Sequence, residues 1–285
     1  MVFRSVRLND LRLLDTAAAP THRGGMSRTD TMTEPPSDWY RRIWTLEIED
    51  MSWTEATAGQ VDFIVSFLGL NGSERVLDLA CGYGRHANEL ARRGFSVTGV
   101  DITPAYIERA RADAARERLP AAFVCADIRE TSFSEEFDVV LNMADGAIGY
   151  LESDAENEKV FDRIAAALRA DGKHLMDVCN AEYAETHFPM RNWEIGRSSV
   201  SLPRFDWDPK RRRMLYGGWG IRFGAIAQPP KTIDAHSSTR LYSIDELREI
   251  LGRRGLQIVA TRSDYSSLPA SPRYMQMEVF SRKRT

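Results

Sequence analysis

Cysteine is scarce in this chain of 285 residues. Cys81, Cys125 and Cys179 are odd in number and far apart, and no CxxC pair occurs, which excludes a disulfide-stapled fold and a zinc ribbon. Each lies in or beside an apolar run, so reduced, buried thiols are expected. Long apolar runs are missing as well. No stretch approaches the roughly 18 residues of a membrane helix, and no apolar core of a secretory signal is present. Neither charge sign dominates: 38 Lys and Arg face 41 Asp and Glu, for a net charge of -3, which argues against a protein that works by neutralising phosphates. No internal repeat is visible. What is present is ample core material, 43% hydrophobic with 28% charged, and a length that suits two domains or one α/β domain with an insertion.

Residues 1–36 mix arginines with small polar residues and end in Pro35-Pro36. They are expected to form a disordered extension, with Met26 and Met32 as alternative starts; Asp10, Asp15 and Asp30 count against a transit peptide. From residue 70 short β-type runs alternate with helical stretches. Strands are expected at 75–80, 96–100, 122–125, 137–142 and 173–178, with helices over 86–93, 104–118 and 154–169 between them. Pro104 after Thr103 marks a helix start, as do Ser153 with Glu156 and Ser243 with Glu246. Alternation of this kind implies βαβ units and a doubly wound, mostly parallel sheet. Over 181–240 the rhythm breaks into aromatic-rich text, and an antiparallel hairpin is expected to turn at Asp208-Pro209. A helix to about 254 and strands at 256–262 and 273–281 then complete the core. The expected division is an extension over 1–36, a lid helix and core over 37–180, an antiparallel cap over 181–240, and the rest of the core over 241–285.

The most informative segment is Val76-Leu77-Asp78-Leu79-Ala80-Cys81-Gly82-Tyr83-Gly84-Arg85-His86. A strand enters a tight turn whose two glycines let a ligand approach the backbone, and the helix that follows offers free N–H groups. Taken alone, G-Y-G-R-H-A also satisfies the dinucleotide pattern G-x-G-x-x-G/A, so an NAD(P)-dependent oxidoreductase is one alternative. Asp101 ends the second strand, where an acid can grip two ribose hydroxyls in either kind of site. Asp78, inside the strand, would repel a pyrophosphate but welcome the ammonium of a sulfonium-bearing amino acid. Asp127, after the third strand, is placed to accept from an adenine amino group.

Together these segments resemble the class I, Rossmann-like S-adenosylmethionine-dependent methyltransferases of small-molecule type. VLDLACGYGRHANELARRGFSVTGVDIT is similar to their motifs I and II, CADI to the motif III region, FDVVLNMADGAIGYL to motif IV, and LRADGKHLMDV to the strand-five motif. The resemblance covers roughly 57–281. Ala80 stands where the family carries the first glycine of D/E-x-G-x-G-x-G. The resemblance implies a seven-stranded sheet with an antiparallel last strand and S-adenosylmethionine as cofactor. It implies that Asp78, Ala80, Cys81, Gly82 and Gly84 hold the methionine part, with Arg85 on its carboxylate or on the solvated helix surface. Asp101 and Ile102 would then hold ribose and adenine, Asp127 and Ile128 adenine, and Asn142 and Met143 the floor near the sulfonium. His86 is expected in packing or on the helix surface.

The acceptor is harder to read. Asn142-Met143-Ala144-Asp145 lacks the Asn/Asp-Pro-Pro-aromatic signature of base-directed methylation, so a small-molecule acceptor without nucleic acid or membrane is expected, in the cytoplasm. Lys210-Arg211-Arg212-Arg213 is expected as a solvated hairpin turn. Asp145, Asp177 and Asn180 lack the pattern of a metal site, and no metal is expected. Tyr40, Trp44, Trp193 and Arg240 are candidate substrate contacts, and aromatic faces favour a cation by of order 1 kcal/mol. Trp39, Trp44 and Trp53 are read equally as packing of an amphipathic helix. His236 is the first candidate base, with Asp145 and Tyr150 after it and His187 weaker. A non-catalytic binding module of the same fold is the third alternative; the full set of Asp78, Asp101 and Asp127 counts against it.

Overall fold

The computed structural model of the chain describes residues 32–226 and 233–284. The expected disorder over 1–36 lies mostly outside these residues. Within its last part, Met32 is buried and its N–H reaches Asp206, while the exposed Thr33 donates its hydroxyl to Asp234, so Met32 and Thr33 are tied to the body.

Seven strands form the main sheet: β1 (Arg75–Leu79), β2 (Ser96–Asp101), β3 (Ala121–Cys125), β4 (Phe137–Asn142), β5 (Leu168–Cys179), β11 (Leu256–Ser263) and β12 (Gln276–Lys283). Their order is β11-β12-β5-β4-β1-β2-β3, with β12 antiparallel to both β5 and β11 and the other pairings parallel. Strand order reverses between β1 and β4, the place where an open α/β sheet leaves a crevice at its carboxyl edge. The central strands are apolar on both faces: Val139, Val140 and Leu141 of β4 are fully enclosed. β3 is an edge strand, and Cys125 at its end is exposed, against the expectation of three buried thiols.

The helices that cover the sheet start where their caps dictate. α4 (Asp154–Ala167) begins at Ser153, whose hydroxyl accepts the Glu156 N–H, and α6 (Ile244–Gly252) carries the full Ser243–Glu246 capping box. α2 (Arg85–Arg92) and α3 (Pro104–Glu117) match their expected spans. α4 ends two residues early. Asp171 and Gly172 lie within β5, where Asp171 takes a left-handed φ of 60°.

Two elements depart further. α1 (Thr57–Leu68) was not anticipated, although Val61, Ile64 and Leu68 form a buried stripe at helical spacing. Over 37–56, where a lid helix was expected, the chain makes three short 3-10 turns, Trp39–Arg41, Leu46–Asp50 and Ser52–Ala56. Extended residues Thr45 and Met51 interrupt them. The side chain of Trp53 lies outside the described residues.

A second, antiparallel sheet follows β5 and the short helix α5 (Ala181–His187). It holds β6 (Met190–Arg191), β8 (Ser199–Asp208), β9 (Arg213–Arg222) and β10 (Ala235–Arg240), with β7 (Glu194–Ile195) pairing beside β8. The hairpin turns at 209–212, and its basic residues are tied to acids: Arg211 to Glu34, Arg212 to Glu185 and Glu246.

Candidate active site

The carboxyl edge of the main sheet forms the floor of a cavity of about 610 Å³; the 3-10 turns over 39–50 and the inner face of the second sheet roof it. Pockets of this size suit a small-molecule ligand.

The turn after β1 shapes one end. Ala80, Gly82 and Gly84 all have positive φ, at 58°, 55° and 79°. Gly82 donates its N–H to Asp101 Oδ2 at 2.9 Å, and Thr103 donates to Oδ1 at 2.8 Å, so Asp101 braces the turn from the end of β2. Each carboxylate oxygen keeps a second lone pair for a ligand. Burial raises Asp101 above the usual carboxylate range. A Cβ on Gly84 would stand 2.8 Å from Ala110 Cβ and 3.0 Å from the Phe123 ring, so this glycine lets α2 close on α3 and β3 rather than touching the cavity.

Asp78 is the unusual group. It is buried, lines the cavity, and neither of its oxygens has a hydrogen-bond partner among the described residues. Burial pushes it up to about 7, partly opposed by the nearby Arg85 guanidinium. Arg85 is not on a solvated helix surface. It is half-buried, and its Nη1 donates to Gln60 Oε1 at 2.5 Å and to the Thr57 hydroxyl at 3.0 Å. The same Gln60 oxygen meets His86 Nε2 at 2.9 Å, so His86 is a packed, buried histidine. Gln60 is thus a site residue that came with the unforeseen α1.

The other end lies beyond β4. Residues Ala144, Asp145, Gly146 and Ala147 all have positive φ, a left-handed turn in which three members are not glycine. Asn142 Nδ2 holds it by donating to Gly146 O at 2.8 Å, and Asp145 N donates to Asp177 O at 2.7 Å. Asp145 is half-buried, receives Cys179 N–H at 3.2 Å and the Tyr150 hydroxyl at 3.3 Å, and is pushed up to about 7 by desolvation and by neighbouring Asp177. Asp177 receives the Tyr265 hydroxyl and Gln276 Nε2, each at 2.5 Å.

Of the residues named from sequence, Tyr40, Trp44, Asp78, Ala80, Cys81, Gly82, Arg85, Asp101, Ile102, Asp127, Ile128, Met143, Asp145, Tyr150 and His236 all line the cavity. Four do not. Gly84 and Asn142 act beneath the floor, as above. Trp193 is 60% exposed on the second sheet, because its short stretch has no facing layer. Arg240 is buried against Glu246 and over the Tyr242 ring, where it ties the second sheet to α6. Asp127 lines the cavity but has no acceptor position left for adenine. It takes Arg129 N, Nε and Nη2 at 3.0, 3.0 and 2.6 Å, and Arg41 Nη2 at 2.8 Å. The sequence reading passed over Gln276, Tyr265 and the cavity role of Asp177; the antiparallel β12 supplies the first, and nothing local in the chain marks them as neighbours.

The model of a methyltransferase domain matches residues 76–172. A Geobacillus sp. protein with a provisional methyltransferase name is 36% identical over 110 residues, 39% of this chain and 44% of that relative, so the match spans less than half the relative's length. The Bacillus subtilis protein YqeM is 25% identical over 69% of this chain and 79% of its own. Among solved structures, an S-adenosylmethionine-dependent methyltransferase from Clostridium acetobutylicum superposes with a TM-score of 0.68 at 14% identity, covering 84% of this chain and 96% of that one, which is a likeness of fold. Residues 76–172 thus match a methyltransferase domain, and the glycine turn, the row of strand-end acids and the seven-stranded sheet have the fold seen in S-adenosylmethionine-dependent methyltransferases.

Proposed function

We propose that the chain transfers a methyl group from S-adenosylmethionine to a nitrogen or oxygen of a small molecule. The observation that carries this reading is Asp78, a buried carboxylate with no hydrogen-bond partner among the described residues, aimed into the cavity beside the Gly82 turn. Such a group is costly unless a cation completes it, and the methionine ammonium is the cation this cosubstrate brings. When bound, the sulfonium supplies a methyl already activated for in-line displacement. The chain's own part is to orient and to exclude water. Asp101 has lone pairs left for sugar hydroxyls, and Ile102 and Ile128 flank the space a purine would fill. Met143 lies on the floor, and the turns over 39–50 cover it. A nicotinamide dinucleotide fits less well, since its pyrophosphate would approach the glycine turn beside the Asp78 carboxylate. The roofed cavity of about 610 Å³ supports a small acceptor.

Titration calorimetry tests this reading. S-Adenosylmethionine and S-adenosylhomocysteine should both bind, and NAD should not. Asp78→Asn removes a charge-assisted bond worth about 1.5–3 kcal/mol and should weaken both ligands at least about ten-fold. No heat from either ligand with the wild-type protein defeats the reading. Tritiated-methyl transfer into a metabolite extract would then identify the acceptor.

A further inference from the structure

We propose that the acceptor is a cationic amine whose ammonium group sits between the carboxylates of Asp145 and Asp177, against the rings of Tyr150 and Trp44. The inference rests on the methyltransferase reading above and narrows it to nitrogen.

Five carboxylates stand along the carboxyl edge of the sheet, one at each of five neighbouring strands: Asp127 after β3, Asp101 in β2, Asp78 in β1, Asp145 after β4 and Asp177 in β5. All five line the cavity. The arginines on the same lining are Arg129 and Arg85. Arg129 is engaged by Asp127, Glu152 and Glu156 at the far end. Arg85 is bonded to Gln60 and Thr57, and its charge is shared between Asp78 and Asp177. With Asp101 and Asp78 committed to the cosubstrate, the Asp145–Asp177 pair holds more negative charge than its surroundings balance. Asp264 and Glu278 also neighbour Asp177; burial raises both above the ordinary carboxylate range, Glu278 to about 8, so the excess rests on Asp145 and Asp177 themselves.

The two acids differ in how well they are held. Asp177 takes the two short bonds from Tyr265 and Gln276 and a third from Ala144 N–H at 3.3 Å. Asp145 has longer ones, from Cys179 N–H at 3.2 Å and the Tyr150 hydroxyl at 3.3 Å, and a weak one from the Cys179 thiol. A carboxylate offers about four acceptor positions, so Asp145 has room for a donor. The backbone supports the same conclusion independently. Three non-glycine residues in left-handed geometry each cost about 1–2 kcal/mol, and the turn they make puts the Asp145 carboxylate inside the cavity.

The surroundings suit an ammonium on an apolar body. Tyr150 and Trp44 lie nearly parallel, 16° apart with ring centroids at 6.1 Å, and both face the cavity. Met143, Phe205, Met214 and Tyr216 complete an apolar wall. In the reaction, Asp145 accepts a proton from the ammonium, breaking N–H and forming O–H. The freed nitrogen lone pair forms the bond to the sulfonium methyl carbon while the C–S pair returns to sulfur, leaving a methylated ammonium and the thioether.

The test uses the full chain saturated with S-adenosylhomocysteine, titrated at pH 8 with 2-phenylethylamine, 2-phenylethanol and 3-phenylpropionate. The amine is expected to bind at least ten-fold more tightly than the alcohol, and the carboxylate least. Asp145→Asn keeps a residue type that tolerates left-handed backbone. It should bring amine and alcohol within about two-fold while leaving S-adenosylhomocysteine affinity within two-fold of wild type. Equal binding of amine and alcohol, no binding of the amine, or a preference that survives in Asp145→Asn overturns the proposal with the methyltransferase reading intact. The wild-type comparison decides the matter even if the variant does not fold. Failure of S-adenosylhomocysteine to bind the wild type overturns the reading beneath it.

Discussion

Burial raises Asp78 to about 7 because the β1 interior strips water from a carboxylate that has no donor among the described residues. An acid raised in the folded state holds its proton more tightly there than in the unfolded chain. The stability it contributes is therefore complete below the ordinary aspartate range, near pH 4, and is lost as the pH climbs toward 7. Asp145, also raised to about 7, adds to the same trend. Asparagine does not ionise, so Asp78→Asn should match the wild type near pH 4 and unfold at a higher temperature than the wild type at pH 7. Saturating S-adenosylhomocysteine should reverse that order, since only the wild type gains the full binding energy. Thermal unfolding at the two pH values, with and without the ligand, reads this directly. A difference that stays constant between pH 4 and 7 would show that Asp78 is not the buried charge described. Asp78 and Asp101 were legible because a strand, a turn and a strand end fix where their side chains must go. Asp127 was only half legible: its position followed from the strand, but the arginines that saturate it, Arg41 and Arg129, come from elsewhere in the chain and from two residues on.

Whole elements follow the same division between local and distant causes. The core strands could be read because enclosure on both faces demands continuous apolar residues, and α4 and α6 because their serine caps act within one turn. The strap over 39–56 was misread as a helix. Its aromatic residues serve separate surfaces: Trp39 packs on Tyr150 at 4.7 Å and donates to Ser238 O, while the Tyr40 hydroxyl donates to Glu152. Leu46–Asp50 buries no residue, so no apolar stripe exists to reward a continuous helix. The glycine turn allows a test at this scale. Gly84 and Gly94 both have positive φ, at 79° and 94°, but a Cβ at Gly94 would meet nothing within 4 Å, whereas at Gly84 it would strike Ala110 and Phe123. Gly94→Ala should cost about 1 kcal/mol, the backbone strain alone. Gly84→Ala adds overpacking and should cost about 3 kcal/mol in denaturant titration, with weaker S-adenosylhomocysteine binding. Equal costs would mean that α2 does not close on α3 through this glycine.

The molecule as a whole sets a strongly built floor under a lightly fastened roof. The floor is a seven-stranded sheet whose central residues are fully enclosed. Ion pairs and hydrogen bonds at the surface fasten the strap to its neighbours. Arg222 meets Glu47 at 2.8 Å, Ser198 donates to Asp50 at 2.6 Å with Arg197 at 3.5 Å from the same carboxylate, and Arg109 meets Glu49 at 2.9 Å. Exposed pairs of this kind contribute about 0.2–1 kcal/mol each and weaken with salt, whereas the floor is held by burial and is not screened. The roof should therefore respond to ionic strength while the sheet does not. Raising salt from 50 to 500 mM should speed S-adenosylhomocysteine release a few-fold, followed in stopped flow through Trp44 fluorescence, with little change in the unfolding midpoint. Salt also screens the ligand's own contact with Asp78, so the wild type alone cannot separate the two causes. Replacing Arg197 and Arg222 together by alanine does separate them, because it unfastens the strap and leaves Asp78 untouched. At 50 mM salt that variant should already release ligand at nearly the wild-type high-salt rate and gain little more at 500 mM. If instead it keeps the full salt response of the wild type, the screened contact is the one at Asp78, and the strap does not govern how the cavity opens.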